Sequence, residues 1–143
     1  VEKMPDAVNL AKRNSEQLAI AIDVVQGEWF EALHQRPDIN QQFNIIVSNP
    51  PYIEENDPHL CQGDVRFEPT SASTAANNGL ADIDLIIADG RSYLKRNGWM
   101  LLEHGFEQAG AVSKLFARYG YDSIKTVQDL SGQDRITLAQ FTA

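Results

Sequence analysis

Asn49-Pro50-Pro51-Tyr52 directly follows the apolar run Phe43-Asn44-Ile45-Ile46-Val47-Ser48. That order describes a buried strand ending in a polar amide, two prolines and an aromatic ring. Proline holds φ near −65° and has no N–H, so the turn is stiff and its carbonyls are left to accept hydrogen bonds. Asn49 adds a side-chain carbonyl, and Tyr52 adds a flat face. Two acceptors beside an aromatic plate suit a planar NH2 group, such as a carboxamide or an aminopurine. In an open α/β sheet the carboxyl edge of such a strand is where ligands bind. The plain alternative is a turn that only ends a strand.

The elements that must position this lip can be read along the chain. Pro5 suits the first residue of a helix, and Ala7, Leu10, Ala11 and Leu18 recur at helical spacing to about residue 17. Ala21 to Gln26 reads as a short buried strand closed by Gly27, and Glu28-Trp29-Phe30 leads into a polar connection, Leu33 to Gln42. After the lip, residues 53–79 form a long irregular stretch, and loops of that length are usually functional or disordered. Ile83, Ile86, Ile87 and Leu94 mark one face of a helix, with Lys95-Arg96-Asn97-Gly98 as its stop signal. Trp99 to Leu102 is a third buried strand, ending at Glu103-His104-Gly105. Ala109, Val112, Leu115, Phe116 and Tyr119 predict a further amphipathic helix capped by Gly120. Tyr121 to Val127 and Arg135 to Phe141 are β-like, and the five residues between them are too few for a helical crossover. That last pair should be antiparallel, on an otherwise parallel sheet.

Composition narrows the class. The 143 residues make one domain with a sizeable core. Twenty acids against twelve bases give a net charge of −8. The bases are scattered, the opposite of what a partner bound mainly through phosphates wants, although charge alone does not exclude a nucleic acid. Cys61 is the only cysteine, so neither an intramolecular disulfide nor a thiolate metal cage is expected, and a reducing, cytoplasmic setting fits. No apolar run approaches the ~18 residues of a membrane span, so no membrane partner is expected.

The order strand, Asn-Pro-Pro-Tyr, long loop, helix, strand, helix, antiparallel hairpin resembles the class I S-adenosylmethionine-dependent methyltransferases whose targets are planar nitrogens. More closely, the chain resembles the release-factor glutamine methyltransferases, or protein-(glutamine-N5) methyltransferases. The matching text is Met4-Pro5-Asp6-Ala7-Val8, Glu28-Trp29-Phe30, Val47-Ser48-Asn49-Pro50-Pro51-Tyr52-Ile53, Gly63-Asp64-Val65-Arg66-Phe67-Glu68-Pro69 and Leu101-Leu102-Glu103-His104-Gly105. The lip alone is only moderately specific, because adenine-N6 methyltransferases share it. Joined to Arg66-Phe67-Glu68-Pro69 the match is strong.

The resemblance implies a Rossmann-like α/β fold with an antiparallel carboxyl-terminal hairpin and S-adenosylmethionine as cofactor. It also implies the glutamine of a Gly-Gly-Gln motif in class I peptide chain release factors as acceptor. Asn49, Pro50, Pro51 and Tyr52 would bind the acceptor amide, and the family pattern also sets Asn49 against the methionine portion of the cofactor. Glu2, at the end of a strand, would accept hydrogen bonds from the ribose hydroxyls, as acids do in dinucleotide sites. Trp29 would stack near the adenine, unless it is a core tryptophan. Glu28 could accept from the adenine amino group, but a solvated acid is the simpler reading. Arg66, Phe67 and Glu68 would shape the entrance. His104 reads as a hydrogen-bonded structural histidine, and His34 and His59 as surface residues.

In this family a glycine-rich cofactor loop and a central strand precede the position of Val1, as does a helical substrate-docking domain. The expectation is therefore that residues 1–143 are a partial methyltransferase domain. The family strand order, 3-2-1-4-5-7-6, then leaves a contiguous 4-5-7-6 half in residues 43–143. The first ~30 residues would be poorly anchored, or the exposed sheet edge would pair with another copy. Such a chain should transfer little or no methyl by itself, and micromolar binding of S-adenosylmethionine in a calorimetric titration would contradict this. Two other functions compete: an adenine-N6 nucleic-acid methyltransferase, and a non-catalytic interaction module that kept the fold.

Overall fold

Pro5 starts a helix at no cost, because its missing N–H falls where no intrahelical partner exists. Helix α1 duly spans Pro5–Gln17, with Asp6 in its first turn facing the positive end of the helix dipole. The computed structural model describes residues 1–51 and 79–143. The chain forms two units, Val1–Ile39 and Asn40–Ala143.

In the first unit, α1 buries Val8, with Ala7, Ala11 and Ser15 half-buried. Leu10 and Leu18, expected on the apolar face, are exposed. The expected strand Ala21–Gln26 does not form. A single parallel bridge joins Glu2 to Gln26, with Glu2 N–H donating to Val25 O and Gly27 N–H to Glu2 O, each at 3.0 Å. A ladder needs a partner along its length. Here the pairing is one residue long, and Ile20 and Ile22 stay exposed. The polar connection expected over Leu33–Gln42 contains a short 3-10 turn, Pro37–Ile39; another, Glu31–Leu33, leads into it, and Phe30 and Leu33 are buried.

The second unit is a four-stranded sheet in the order β1-β2-β4-β3. Its strands are β1 Phe43–Ser48, β2 Leu94–Glu103, β3 Tyr121–Gln128 and β4 Asp134–Phe141. The pair β1/β2 is parallel, and β4 runs antiparallel to both β2 and β3. This is the expected half-sheet with its antiparallel hairpin. Helices α2 (Ala81–Gly90) and α3 (Ala109–Arg118) pack on one face. There Ile83, Ile86, Ile87, Val112 and Phe116 meet Met100, Leu102 and Ala139, all fully buried. The Phe116 ring meets Tyr121 edge-on at 5.1 Å, and the Tyr121 hydroxyl donates to Ile87 O at 3.2 Å.

Two expectations fail in this unit. Helix α2 ends at Gly90 with Arg91 as its cap, not at Lys95-Arg96-Asn97-Gly98. Tyr93 and Leu94 are buried as the chain enters β2, and Phe43 N–H donates to Tyr93 O at 3.0 Å. The residues that resembled a helix stop form a bulge in β2, where the register jumps from Phe43↔Leu94 to Ile45↔Trp99. Asn97 takes φ 64° there, and its carbonyl accepts from Gln140 Nε2 at 3.0 Å. Gly98 is required, because a Cβ would stand 2.9 Å from Lys95 O.

The second failure concerns β1, expected to be buried. It is an edge strand among the described residues, and on the face away from α2 and α3 Ile45 is 58% and Val47 71% exposed.

Candidate active-site edge

Strands β1 and β2 are parallel with Ser48 opposite Leu102, so both finish at the same edge. Continuing that register by one residue sets Asn49 level with Glu103. Because β4 is antiparallel to β2, with Glu103 opposite Ile136, the β3–β4 turn rises at this edge too. Three loops therefore meet there: the lip, Glu103-His104-Gly105, and Asp129–Gln133.

Pro50 ends the strand locally, since it has no N–H to continue a ladder. It is fully buried, while Asn49 before it is exposed and Pro51 is half-buried. Among the described residues nothing is hydrogen-bonded to the Asn49 side chain. The buried ring anchors the lip and the exposed amide faces out. Tyr52, Arg66, Phe67 and Glu68, like Cys61 and His59, lie outside the described residues.

His104 is fully buried. Its Nδ1 is 2.9 Å from Gly105 O, and Nε2 is 2.8 Å from Thr137 Oγ1, which is 2.9 Å from Thr126 Oγ1. A carbonyl only accepts, so Nδ1 carries a proton. The ring ties the end of β2 to β4 and β3, and nothing in this arrangement presents it as a base. His34 is exposed. Among the described residues no three His, Cys, Asp or Glu side chains gather as a metal site, and no helix is long and apolar enough to cross a membrane.

The sequence reading missed the clamp beside His104. His104 N–H donates to Arg135 O at 3.0 Å, and the Arg135 guanidinium donates to His104 O and to Asp129 Oδ2, each at 3.4 Å. Asp129 Oδ1 accepts from the N–H groups of Ser131 (2.8 Å) and Gln133 (3.1 Å). Asp129 and Gly132, spaced as the first and fourth residues of a β-turn, were the available signal.

The backbone N–H of Gln133, then that of Ser131 and the Arg135 guanidinium, hold the Asp129 carboxyl below its ordinary pKa of 3.8. A depressed folded-state pKa contributes stability that is complete above the ordinary value and is lost as pH falls through the lowered one. The Ser131 and Gln133 amides should therefore keep their chemical shifts down to about pH 4 and move at lower pH. In an Asp129→Asn variant that acid transition should vanish, and its persistence would assign it elsewhere.

Glu2 and Trp29 lie in the first unit and are brought near each other by the Glu2–Gln26 bridge. Glu2 is half-buried, and its Oε1 accepts from the Met4 N–H at 2.8 Å. Trp29 is half-buried with φ 46°, a left-handed backbone that costs a bulky residue energy. Beside them Lys3 Nζ and Glu28 Oε1 form an exposed ion pair at 2.9 Å, so Glu28 is a solvated acid.

No family model matches the chain. It is 50% identical over 143 residues to the release factor glutamine methyltransferase of Salmonella typhimurium, and 50% identical over 142 residues to that of Escherichia coli. Each match covers 99% of this chain.

The chain is related by sequence to the release factor glutamine methyltransferases.

It spans about half the length of these curated relatives, 50% of each. A protein-(glutamine-N5) methyltransferase (release factor-specific) from Alicyclobacillus acidocaldarius superposes with a TM-score of 0.51 at 26% identity, over 80% of this chain and 58% of that one. A methyltransferase from Pyrococcus furiosus superposes with a TM-score of 0.69 at 14% identity, over 99% of this chain and 61% of that one, and shares the fold.

Proposed function

We propose that the full-length protein transfers a methyl group from S-adenosylmethionine to a side-chain amide nitrogen (N5). The acceptor is the glutamine in the Gly-Gly-Gln motif of class I peptide chain release factors, and the reaction runs in the cytoplasm. The observation that carries this reading is the exposed Asn49 amide, without a hydrogen-bond partner among the described residues, on a proline-anchored lip in a chain 50% identical to release factor glutamine methyltransferases.

An amide nitrogen is a poor nucleophile, because its lone pair is delocalised into the carbonyl. The Asn49 Oδ1 and the Pro50 carbonyl would each accept one of its two hydrogens, fixing the NH2 and exposing the lone pair by a small loss of planarity. S-adenosylmethionine, when bound, supplies a methyl on a positively charged sulfur. Alignment then does most of the work, with reacting atoms about 3–3.5 Å apart beforehand. The methylated nitrogen is strongly acidic and releases its proton to water, so a neutral Asn serves where a base would be superfluous. Tyr52 would pack on the amide plane and keep water out.

The chemistry of the first unit fits the cofactor. Met4 N–H holds one Glu2 oxygen, which orients the carboxylate and leaves the other without a partner among the described residues, as an acceptor for ribose hydroxyls. The half-buried Trp29 indole offers a flat apolar surface for adenine. Incubating the full-length enzyme with labelled cofactor, a release factor and DNA tests the reading. Label at the release-factor glutamine is expected, and label in DNA alone would give the reaction to an adenine-N6 methyltransferase.

A further inference from the structure

The edge that carries Asn49 also carries two large apolar side chains turned to solvent. Phe106, after Gly105 on the β2–α3 connection, is 52% exposed, and Leu130, in the β3–β4 turn, is fully exposed. Scattered exposed leucines need no explanation. These two differ in what holds them.

The Phe106 loop is closed by Gly105 N–H donating to Gln108 Oε1 at 2.8 Å and by Gln108 N–H donating to Gly105 O at 2.9 Å. The Leu130 loop is closed by Asp129 N–H to Gln133 O at 2.8 Å, by Gly132 N–H to Asp129 O at 3.0 Å, and by the two N–H groups on the Asp129 carboxylate. Arg135 then joins the loops, reaching His104 O on one side and Asp129 on the other. Both side chains thus stand on prearranged turns whose ordering precedes any binding, which lowers the entropy cost of contact. Glu107, exposed beside Phe106, gives the surface an acidic border.

We infer that Phe106 and Leu130 form a docking surface for the protein that delivers the acceptor glutamine, outside the lip that orients the amide. Exposed Phe106 and Leu130 with Glu107 beside them would suit an apolar patch flanked by a basic side chain on that partner. This rests on the function proposed above: a peptide amide can reach Asn49 only if its parent protein passes over the same edge. Anchors of this kind contribute binding equally to ground and transition states, so they act on KM and not on kcat.

The test uses the full-length enzyme with Phe106→Ser, Leu130→Ser and the double variant; both positions are exposed, so folding is spared. With intact release factor, each single variant should raise KM about tenfold and the double variant more, with kcat changed less than twofold. Affinity for S-adenosylmethionine should be unchanged. An unchanged KM in the double variant overturns the inference, as does a fall in kcat alone. Conversion of a dimer to a monomer at constant KM would also overturn it and show that a second copy covers the surface. Failure of the wild-type enzyme to methylate the release factor would instead sink the proposed reaction itself.

Discussion

Asn49→Ala in the full-length enzyme is expected to lower kcat for methyl transfer by about 10²–10³-fold, the usual cost of removing one oriented polar group that acts in the transition state. The side chain is exposed and has no hydrogen-bond partner among the described residues, so trimming it should cost the fold little. Thermal stability should stay within about 0.5 kcal/mol of wild type, as for other surface substitutions away from special features. The pairing of a large catalytic loss with an intact fold separates an orienting group from a strand-ending turn. Unchanged turnover would assign the lip a structural role and favour a non-catalytic module.

The largest stability effect should come from Phe116→Ala. Phe116 is fully buried on α3, and its ring meets Tyr121 edge-on at 5.1 Å. Truncating a buried phenylalanine costs about 3–5 kcal/mol through lost burial and the cavity left behind. Against a whole-domain stability of about 5–15 kcal/mol, that removes a large share. Tyr121 also donates to Ile87 O on α2, so the cavity would loosen both helices from the sheet. Chemical denaturation of the full-length enzyme reads the change, with Phe116→Leu as a milder control. A loss under about 1 kcal/mol would mean that the site collapses freely and α3 does not seal the core.

Where a residue's fate depends on its immediate neighbours, the sequence was enough. Pro5 fixed the start of α1, and Gly120 with φ 78° followed α3 where expected. Phe43–Ser48 was legible as a strand from its apolar run, and the antiparallel hairpin from a connection too short to cross over. Where a partner distant in sequence decides, local signals misled. Lys95-Arg96-Asn97-Gly98 has the composition of a helix stop, yet pairing of Leu94 with Phe43 makes it a strand bulge. Ala21–Gln26 has the residues of a strand but, among the described residues, pairs only through the Glu2–Gln26 bridge. Leu10 and Leu18 keep helical spacing but are exposed, because periodicity names a face without saying what covers it.

The candidate site divides the same way. Amino-acid order alone determined the lip: an amide, two prolines that fix φ, and the strand before them are neighbours in the chain. Tertiary structure decided that Asn49 is exposed while Pro50 is buried. It also decided that His104 is held between Gly105 and Thr137, and that Arg135 locks Asp129 and His104 into one edge. Of these, the His104–Thr137 and Arg135–His104 contacts join residues 33 and 31 positions apart in the chain. They exist only once β2 and β4 pair, and no local rule of composition or spacing encodes a register set by that pairing.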